Sequence, residues 1–324
     1  MQKTKAARNK TIDLSIQEGA PYLKKCLNKK DDLSTLSNII NKTILGDTFA
    51  ILPQLPKSFA DLIIVDPPYN LSKNYDGKKF NALKDEKYEQ YTVKWIELVK
   101  PLLKPNGSIY VCCDWKSSLI IGSVLQKYFK IQNRITWQRE KGRGASSNWK
   151  NGMEDIWFAT NSDAYTFNLD AVKIRKKVLA PYKQNGQPKD WEETKDGNYR
   201  NTCPSNFWDD ISVPYWSMPE NTSHPTQKPE KLVAKLILAS SNIGDVVFDP
   251  FLGSGTTSVV AKKLGRSYCG IEQNERYCIF SEKRLEDAQT NKNIQGYTDG
   301  VFWERNAGNI RAKAQTRPQK KKEI

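Results

Sequence analysis

Residues 245–272 read DVVFDPFLGSGTTSVVAKKLGRSYCGIE, and this stretch decides the fold. The apolar runs 246–248 and 267–271 have strand character, and residues 256–264 between them have helical spacing. A glycine-rich loop joins the first strand to the helix. A strand, a helix and a second strand in this order predict two parallel strands in a sheet that helices cover.

The same alternation extends through most of the chain. Residues 70–87 and the Pro105-Asn106-Gly107 turn are expected to be loops. The other expected strands are 43–45, 61–65, 109–113, 131–137 and 153–159, and the other expected helices are 49–55, 88–103, 117–128, 229–240 and 277–288. We therefore predict an α/β protein with a doubly wound, mainly parallel sheet. Ligands of such sheets bind beyond the carboxyl ends of the strands.

Changes in residue composition and periodicity divide the chain into five segments. Residues 1–40 form a polar N-terminal extension, 41–160 and 224–290 carry the α/β pattern, 161–223 lose periodicity, and 291–324 form a basic tail. The third segment is rich in Pro, Asn, Gly, Trp and Lys. We interpret it as a loop-rich module inserted between the two halves of one catalytic domain.

The composition indicates a globular protein with a polyanionic partner. The 324 residues are 38% hydrophobic and 27% charged, with a net charge of +15 and a pI near 9.4. This charge favours nucleic acid over an anionic membrane. The sequence has neither an apolar run of about 18 residues nor the core of a signal peptide, so we expect a cytoplasmic protein. Six cysteines without a Cys-x-x-Cys pair, and a single histidine, favour reduced thiols over a metal site.

Asp66-Pro67-Pro68-Tyr69 follows the apolar run 61–65. Because Asp66 and Pro67 each precede a proline, their backbone is held extended, and the Asp66 carboxylate and Pro67 carbonyl become fixed acceptors. Two such acceptors can hold both N–H groups of an aromatic amine and free its lone pair for attack, while the Tyr69 ring stacks on the base. A strand that ends in a Pro-Pro turn is common, so the tetrapeptide alone is also compatible with a purely structural turn.

Residues 249–257 form the glycine-rich loop. Gly253 and Gly255 permit close approach of a ligand to the backbone. Glu272 ends the next strand, where an acidic side chain typically binds ribose hydroxyls. The third glycine of the dinucleotide fingerprint is absent, which disfavours a nucleotide-dependent oxidoreductase.

Four motifs in order carry a resemblance to a known family. LGD (45–47), DPPY (66–69), HPTQKPEKL (224–232) and DPFLGSGTT (249–257) together resemble DNA amino-methyltransferases. The glycine-rich loop lies C-terminal to DPPY, which is similar to the order in their β-group. The resemblance covers about residues 41–288 and implies a Rossmann-like methyltransferase fold with a permuted motif order.

The resemblance also implies a site and its cofactor, S-adenosylmethionine. A base flipped out of the duplex would be held by the catalytic residues Asp66, Pro67, Pro68 and Tyr69. The cofactor pocket would comprise Asp47, His224, Lys228, Asp249, Phe251, Gly253, Ser254, Gly255, Thr256 and Glu272. Of these, Asp47 would contact the cofactor adenine and Glu272 the ribose. His224 and Lys228 would lie near the methionine end, where Lys228 either pairs with the carboxylate or stays a solvated lysine at a helix start.

Residues just before the predicted insertion are candidates for DNA contact. They are Arg139, Lys141, Arg143, Lys150 and Trp149. Basic side chains of this kind contact phosphates more often than bases. Solvation of an exposed loop explains the same charges nearly as well.

We predict methyl transfer to adenine N6 in double-stranded DNA, because the cytosine-N4 members of the family more often carry serine in place of Asp66. The alternatives are a cytosine-N4 enzyme, a nucleotide-dependent oxidoreductase and a non-catalytic DNA-binding protein, and an RNA substrate stays open. Cytosine-C5 transfer is disfavoured because no Pro-Cys occurs. By resemblance the enzyme belongs to a restriction-modification system, with a cognate endonuclease and a second copy of the chain as further partners, and with no metal. The tail beyond Arg311 is either a phosphate-binding arm or a solvated segment.

Overall fold

The computed structural model of the protein describes residues 6–139, 146–178, 183–195 and 197–305. The helices in these ranges are α1 (Ala20–Leu23), α2 (Leu36–Ile39), α3 (Thr48–Ile51), α4 (Asp85–Val99), α5 (Trp115–Tyr128), α6 (Glu230–Ser240), α7 (Thr256–Lys263) and α8 (Glu275–Thr290). Short 3₁₀ helices follow or connect them at Leu52–Gln54, Lys100–Leu102 and Leu169–Val172. None of the described helices combines the length and the apolar character that crossing a bilayer needs.

The strands belong to one large sheet and three smaller ones. They are β1 (Leu27–Asn28), β2 (Lys42–Leu45), β3 (Ala60–Val65), β4 (Lys73–Tyr75), β5 (Lys78–Phe80), β6 (Leu103–Cys113), β7 (Lys130–Gln138), β8 (Met153–Thr160), β9 (Ile174–Lys177), β10 (Lys183–Gln184), β11 (Gln187–Pro188), β12 (Glu192–Thr194), β13 (Gly197–Thr202), β14 (Phe207–Trp208), β15 (Val246–Asp249), β16 (Ser267–Glu272), β17 (Tyr297–Thr298) and β18 (Val301–Trp303). The large sheet has nine strands in the order β1-β2-β16-β15-β3-β6-β8-β7-β14.

The large sheet is mainly parallel. Strand β8 runs antiparallel to β6 and β7, and the other neighbouring strands described in this sheet run parallel. The predicted α/β fold is thereby confirmed. Because β3 and β15 are parallel neighbours, the loops that follow them meet at the same edge of the sheet.

Helices cover both faces of this sheet, as the doubly wound prediction requires. Successive residues of a strand point to opposite faces, and β3 shows the alternation. Ile63 and Val65 join a core that includes residues of α4 and α5, while Leu62 and Ile64 join a second core that includes residues of α6 and α7. All four side chains are buried, which explains why the strand reads as a continuous apolar run.

Two loop predictions are wrong. Residues 105–107 lie within β6, and the register of β6 with β3 shifts between Ala60 and Leu62, so the pairing accommodates the turn-forming residues as an irregularity. Residues 70–87 contain the β4–β5 hairpin and the first residues of α4. Asp85 and Glu86 occupy the first turn of α4, where negative charge is favourable.

The predicted insertion and the start of the tail share a second sheet. Its five strands have the order β12-β13-β9-β18-β17, so β18 pairs with strand β9 and β17 pairs with β18. Phe302 of β18 is fully buried in the core that also contains α6 residues. The division of the chain into five segments stays a prediction, and this pairing shows that the fourth and fifth segments do not fold independently of the third.

The N-terminal extension packs against α8. Ile12, Leu14, Tyr22 and Leu23 contact a cluster formed by buried residues of that helix. Arg276 of α8 binds Asp13 in an ion pair and donates to the Leu14 carbonyl at 3.1 Å. The extension is therefore part of the folded catalytic unit.

Candidate active site

A cavity of about 430 Å³ opens beyond the carboxyl ends of β3, β15 and β16. Most of the predicted site residues line it: Asp47, Asp66, Pro67, Pro68, Tyr69, His224, Lys228, Asp249, Phe251, Gly253, Ser254, Thr256 and Glu272. Gly255 is not a lining residue. One cavity therefore contains both the DPPY loop and the glycine-rich loop, as expected at this edge of an α/β sheet.

Hydrogen bonds anchor the DPPY loop to the elements behind it. The Tyr88 hydroxyl of α4 donates to the Pro68 carbonyl at 3.1 Å. The buried Asn70 donates its N–H to the Ser117 hydroxyl at 3.1 Å and exchanges hydrogen bonds with the Leu83 backbone at 2.9 and 2.7 Å. Together with the two prolines, these contacts hold the loop in one conformation.

The Asp66 carboxylate belongs to a cluster of charges in the cavity wall. Lys228 Nζ lies 2.7 Å from each Asp66 oxygen and 3.0 Å from the Tyr69 hydroxyl. The Tyr69 hydroxyl lies 2.9 Å from Asp66 Oδ1 and 3.1 Å from Glu154 Oε2, and Glu154 Oε2 lies 3.3 Å from Lys228 Nζ. Arg139 completes the cluster through an ion pair with Glu154. Lys228 thus faces Asp66 here, and its role at a cofactor carboxylate stays a prediction.

Burial and charge oppose each other in this cluster. Burial disfavours the Lys228 cation, but Asp66 and Glu154 outweigh it and raise the pKa of Lys228 above its ordinary value. Burial disfavours the Glu154 anion in the same way, yet Lys228 and Arg139 lower the pKa of Glu154. Burial, with Asp66 and Glu154, raises the pKa of Tyr69 well above its ordinary value. Lys228 and Glu154 are therefore charged at neutral pH, and Tyr69 is a neutral donor.

Asp249 is a structural carboxyl at the start of the glycine-rich loop. Its two oxygens accept from the Phe251 N–H at 2.9 Å and from the Thr257 hydroxyl at 2.6 Å. Burial raises the pKa of Asp249 to about 7, although both hydrogen bonds act in the opposite direction. Asp249 therefore shapes the loop that lines the cavity.

Glu272 and Asp47 also hold backbone at the cavity. Glu272 accepts from the N–H groups of Gly253 and Asn274 at 2.8 and 2.7 Å, so it fixes the glycine-rich loop from the neighbouring strand. Asp47 caps α3 by accepting from the Ala50 N–H at 3.1 Å.

His224 packs between the glycine-rich loop and α8. Its ring lies edge-on to Tyr277 with centroids 4.3 Å apart, and Nδ1 accepts from the Thr226 N–H at 3.3 Å. Burial and the nearby Lys228 lower the pKa of His224 to about 3, so the imidazole is neutral. A Cβ atom at Gly253 would lie 3.1 Å from its Nε2. His224 therefore packs against Tyr277 and Gly253, and its low pKa argues against general-base chemistry. Its role as a cofactor contact stays a prediction.

Sequence analysis missed two residues of the site, Glu154 and Arg284. Glu154 is 4% exposed, and a carboxylate inside the otherwise apolar strand MEDIWFA was the available signal. Arg284 donates to the Ser254 carbonyl at 2.9 Å and the Thr256 hydroxyl at 3.0 Å, and pairs with buried Glu230 at 3.0 Å. Arg284 thus holds the glycine-rich loop against α8. No sequence signal identified it, because α8 reads as a charged surface helix.

The candidates for DNA contact are only partly at the cavity. Arg139 lines it, with its charge engaged by Glu154. Trp149 is 94% exposed and Lys150 is exposed, and neither lines the cavity. Lys141, Arg143 and the tail beyond Arg311 lie outside the described residues. No group of three or more potential metal ligands occurs in the part of the chain that the structure describes.

Comparison with known proteins assigns the chain to a family of enzymes. Residues 60–283 match the family model of N6/N4 methyltransferases, described as DNA methylase. The chain therefore belongs to this family of DNA methylases, and its motif order is that of the β-group, as the resemblance implied.

Two curated relatives and one solved structure illustrate the similarity. The chain is 37% identical over 255 residues to the DNA adenine methyltransferase YhdJ of Escherichia coli (strain K12), with 76% of this chain and 83% of YhdJ covered. It is 36% identical over 250 residues to the type II methyltransferase M.HpaI of Haemophilus parainfluenzae, with 76% and 74% covered. It also resembles the crystal structure of the M1.HpyAVI–SAM complex, at 25% identity and a TM-score of 0.51 over 75% of this chain and 98% of that one.

Proposed function

We propose that this protein transfers a methyl group from S-adenosylmethionine to adenine N6 in double-stranded DNA. The observation that carries the proposal is that the Asp66 carboxylate, on its anchored loop, shares one cavity with the glycine-rich loop. The methyl acceptor and the methyl donor would then meet without a change of site. The relative YhdJ is a DNA adenine methyltransferase by name, and M.HpaI is a type II methyltransferase.

The residues of the cavity fit S-adenosylmethionine. A volume of about 430 Å³ is suited to a ligand of drug size. The backbone φ of Gly253 is +56°, a conformation that strains a side chain, and a Cβ atom there would lie 3.1 Å from His224 Nε2. Glu272 offers acceptors for ribose hydroxyls, and Asp47 and Phe251 line the same wall. When bound, this cofactor supplies an electrophilic methyl group on a positively charged sulfur.

The protein would contribute positioning and electrostatics. A target base inside a duplex must be flipped out to reach the cavity, where the Tyr69 ring offers a stacking surface. The Asp66 carboxylate and the Pro67 carbonyl then accept from the two N–H groups of the base, which directs the nitrogen lone pair toward the methyl donor. The new bond from nitrogen to the methyl carbon forms as the bond from that carbon to sulfur breaks, and the amino group releases one of its two protons to water.

We further propose that the enzyme acts in the cytoplasm as the modification partner of a restriction endonuclease. The type II designation of M.HpaI supports this context. Exposed Trp149 and Lys150 are proposed to contact DNA outside the cavity, together with Lys141 and Arg143. We also propose a homodimer, because β-group enzymes often pair through the catalytic domain. Static light scattering of the purified protein with and without DNA would test it.

Analysis of the methylated product tests the proposed function. The gene would be expressed in a host that lacks DNA methylation, and its genomic DNA mapped by single-molecule sequencing and digested for mass spectrometry. We expect N6-methyladenine at one short recognition sequence. N4-methylcytosine would establish the alternative target base, and unmodified DNA from cells that contain folded protein would refute the proposal. An RNA substrate would appear as methylated nucleosides in the RNA fraction.

A further inference from the structure

The cluster around Lys228 has more acceptors than its donors can use. An ammonium group has three N–H donors, and four acceptor atoms lie within 3.3 Å of Lys228 Nζ: both oxygens of Asp66, the Tyr69 hydroxyl and Glu154 Oε2. Tyr69 has one hydroxyl proton and two carboxylates to receive it, Asp66 at 2.9 Å and Glu154 at 3.1 Å. Lys228 and Tyr69 therefore each have two carboxylates within reach, Asp66 and Glu154.

The proposed reaction would use the second carboxylate, Glu154. Asp66 must direct a lone pair at the amino group of the base, but Lys228 donates to both of its oxygens and Tyr69 to one of them, which leaves at most one of about four lone-pair sites. Lys228 and Glu154 have side chains that are 10% and 5% exposed, so a Lys228 cation that lost its only carboxylate would be left uncompensated in a buried site. A second carboxylate in reach removes that obstacle.

We propose that Glu154 is a positioning residue of methyl transfer, which takes over Lys228 and Tyr69 when Asp66 turns to the target base. The inference rests on the proposed function, and it adds a residue that would act through Lys228 and Tyr69. Withdrawal of Asp66 leaves Lys228 with Glu154 and the Tyr69 hydroxyl, while Tyr69 donates to Glu154. Lys228 and Tyr69 then each keep an acceptor.

Arg139 keeps Glu154 ready for this role. Glu154 is buried in β8, where an isolated carboxyl would tend to take up a proton. The ion pair with Arg139 favours the anion whether or not Lys228 has moved toward it. Asp66, Glu154, Lys228 and Arg139 bring two negative and two positive charges, so the exchange changes partners without changing the net charge of the cluster.

Two substitutions separate charge from packing. Glu154→Gln keeps the shape of the side chain and removes its charge, whereas Glu154→Asp keeps the charge and shortens the side chain. We expect Glu154→Gln to lower kcat by about 10²-fold, because misplacing a reacting group costs that much, with little change in S-adenosylmethionine affinity. Glu154→Asp should retain more activity than Glu154→Gln. A role in packing alone would give the reverse order.

The assay would follow N6-methyladenine formed in unmethylated DNA by each purified variant, with calorimetry for the cofactor and thermal unfolding for the fold. Lys104→Met is the matched control, since Lys104 pairs with Asp61 at 2.8 Å at the opposite end of strand β3. It should leave kcat unchanged. Wild-type turnover in Glu154→Gln, or more activity in Glu154→Gln than in Glu154→Asp, would overturn the inference. A wild-type protein without product would instead refute the proposed function. If Glu154→Gln does not fold, the inference is decided by Glu154→Asp, which should keep at least about a tenth of the wild-type kcat.

Discussion

Replacing Asp66 by alanine should abolish most methyl transfer while leaving the cofactor site intact. Asp66 lies at the end of β3, and its carboxylate is the proposed acceptor for the amino group of the target base. Loss of one preorganised electrostatic partner typically costs about 10²–10³ in rate. The loss would be larger if the base no longer aligns. Cofactor affinity should change little, because the hydrogen bonds that hold the glycine-rich loop come from Glu272, Asp249 and Arg284.

The same substitution should have a moderate effect on stability. Two hydrogen bonds of 2.7 Å from Lys228 to Asp66 disappear. A buried cation with no partner would cost about 3–5 kcal/mol, but Glu154 Oε2 remains 3.3 Å away. We therefore expect a loss of about 2 kcal/mol, the range of one charge-assisted hydrogen bond. For a chain of this size that lowers Tm by roughly 3 °C.

Three measurements test this prediction together: single-turnover methyl transfer to cognate DNA, titration calorimetry with S-adenosylmethionine, and thermal unfolding. Asp61→Ala is a suitable control, because Asp61 pairs with Lys104 at the other end of β3 and lies away from the cavity. It should lose stability and keep the rate of transfer. A folded Asp66→Ala variant with near wild-type turnover would refute the assignment of Asp66. Loss of cofactor binding at unchanged stability would show that Asp66 belongs to the cofactor site.

Three further predictions concern the cofactor loop, its buried carboxyl and the tail. Gly253→Val places a branched side chain at a φ of +56°, with Cβ 3.1 Å from His224 Nε2, and Glu272→Ala removes an acceptor of the Gly253 N–H. Both should weaken S-adenosylmethionine binding by about tenfold or more in calorimetry, and unchanged affinity in both would move the pocket elsewhere. The pKa of Asp249 rises from 3.8 to about 7 on folding, so the native state holds a proton that the unfolded chain releases. The stability of the ligand-free protein contributed by this group should fall as pH rises through that range, and chemical denaturation should show a smaller fall in Asp249→Asn; equal slopes would contradict the assignment. Deleting residues 311–324 removes six basic residues and should weaken binding to cognate and non-cognate DNA alike, with the salt slope reduced by at most ~5. An unchanged slope would favour a solvated tail.

Much of the fold could be predicted because its signals are local. The strand 61–65 is one apolar run, and the unit 245–272 has an apolar run on each side of a helical pattern. The predicted strands 61–65 and 246–248 lie side by side in the sheet. The turn at residues 105–107 failed for the opposite reason. Its Pro-Asn-Gly signal is local, but Leu103 before it and Ser108 after it both pair with β3, which keeps these residues inside one strand.

The sequence alone determined the α/β class, the family and the two loops of the site, because each depends on residues that are neighbours along the chain. Only the tertiary structure decided which charges share the cavity. Lys228 and Asp66 are 162 residues apart, and Tyr69 and Glu154 are 85 apart, so no spacing along the chain indicates these contacts. The pairing of β18 with β9 is of the same kind. Such contacts depend on how buried strands and helices pack, and the free energy of an ion pair depends on the burial that this packing creates.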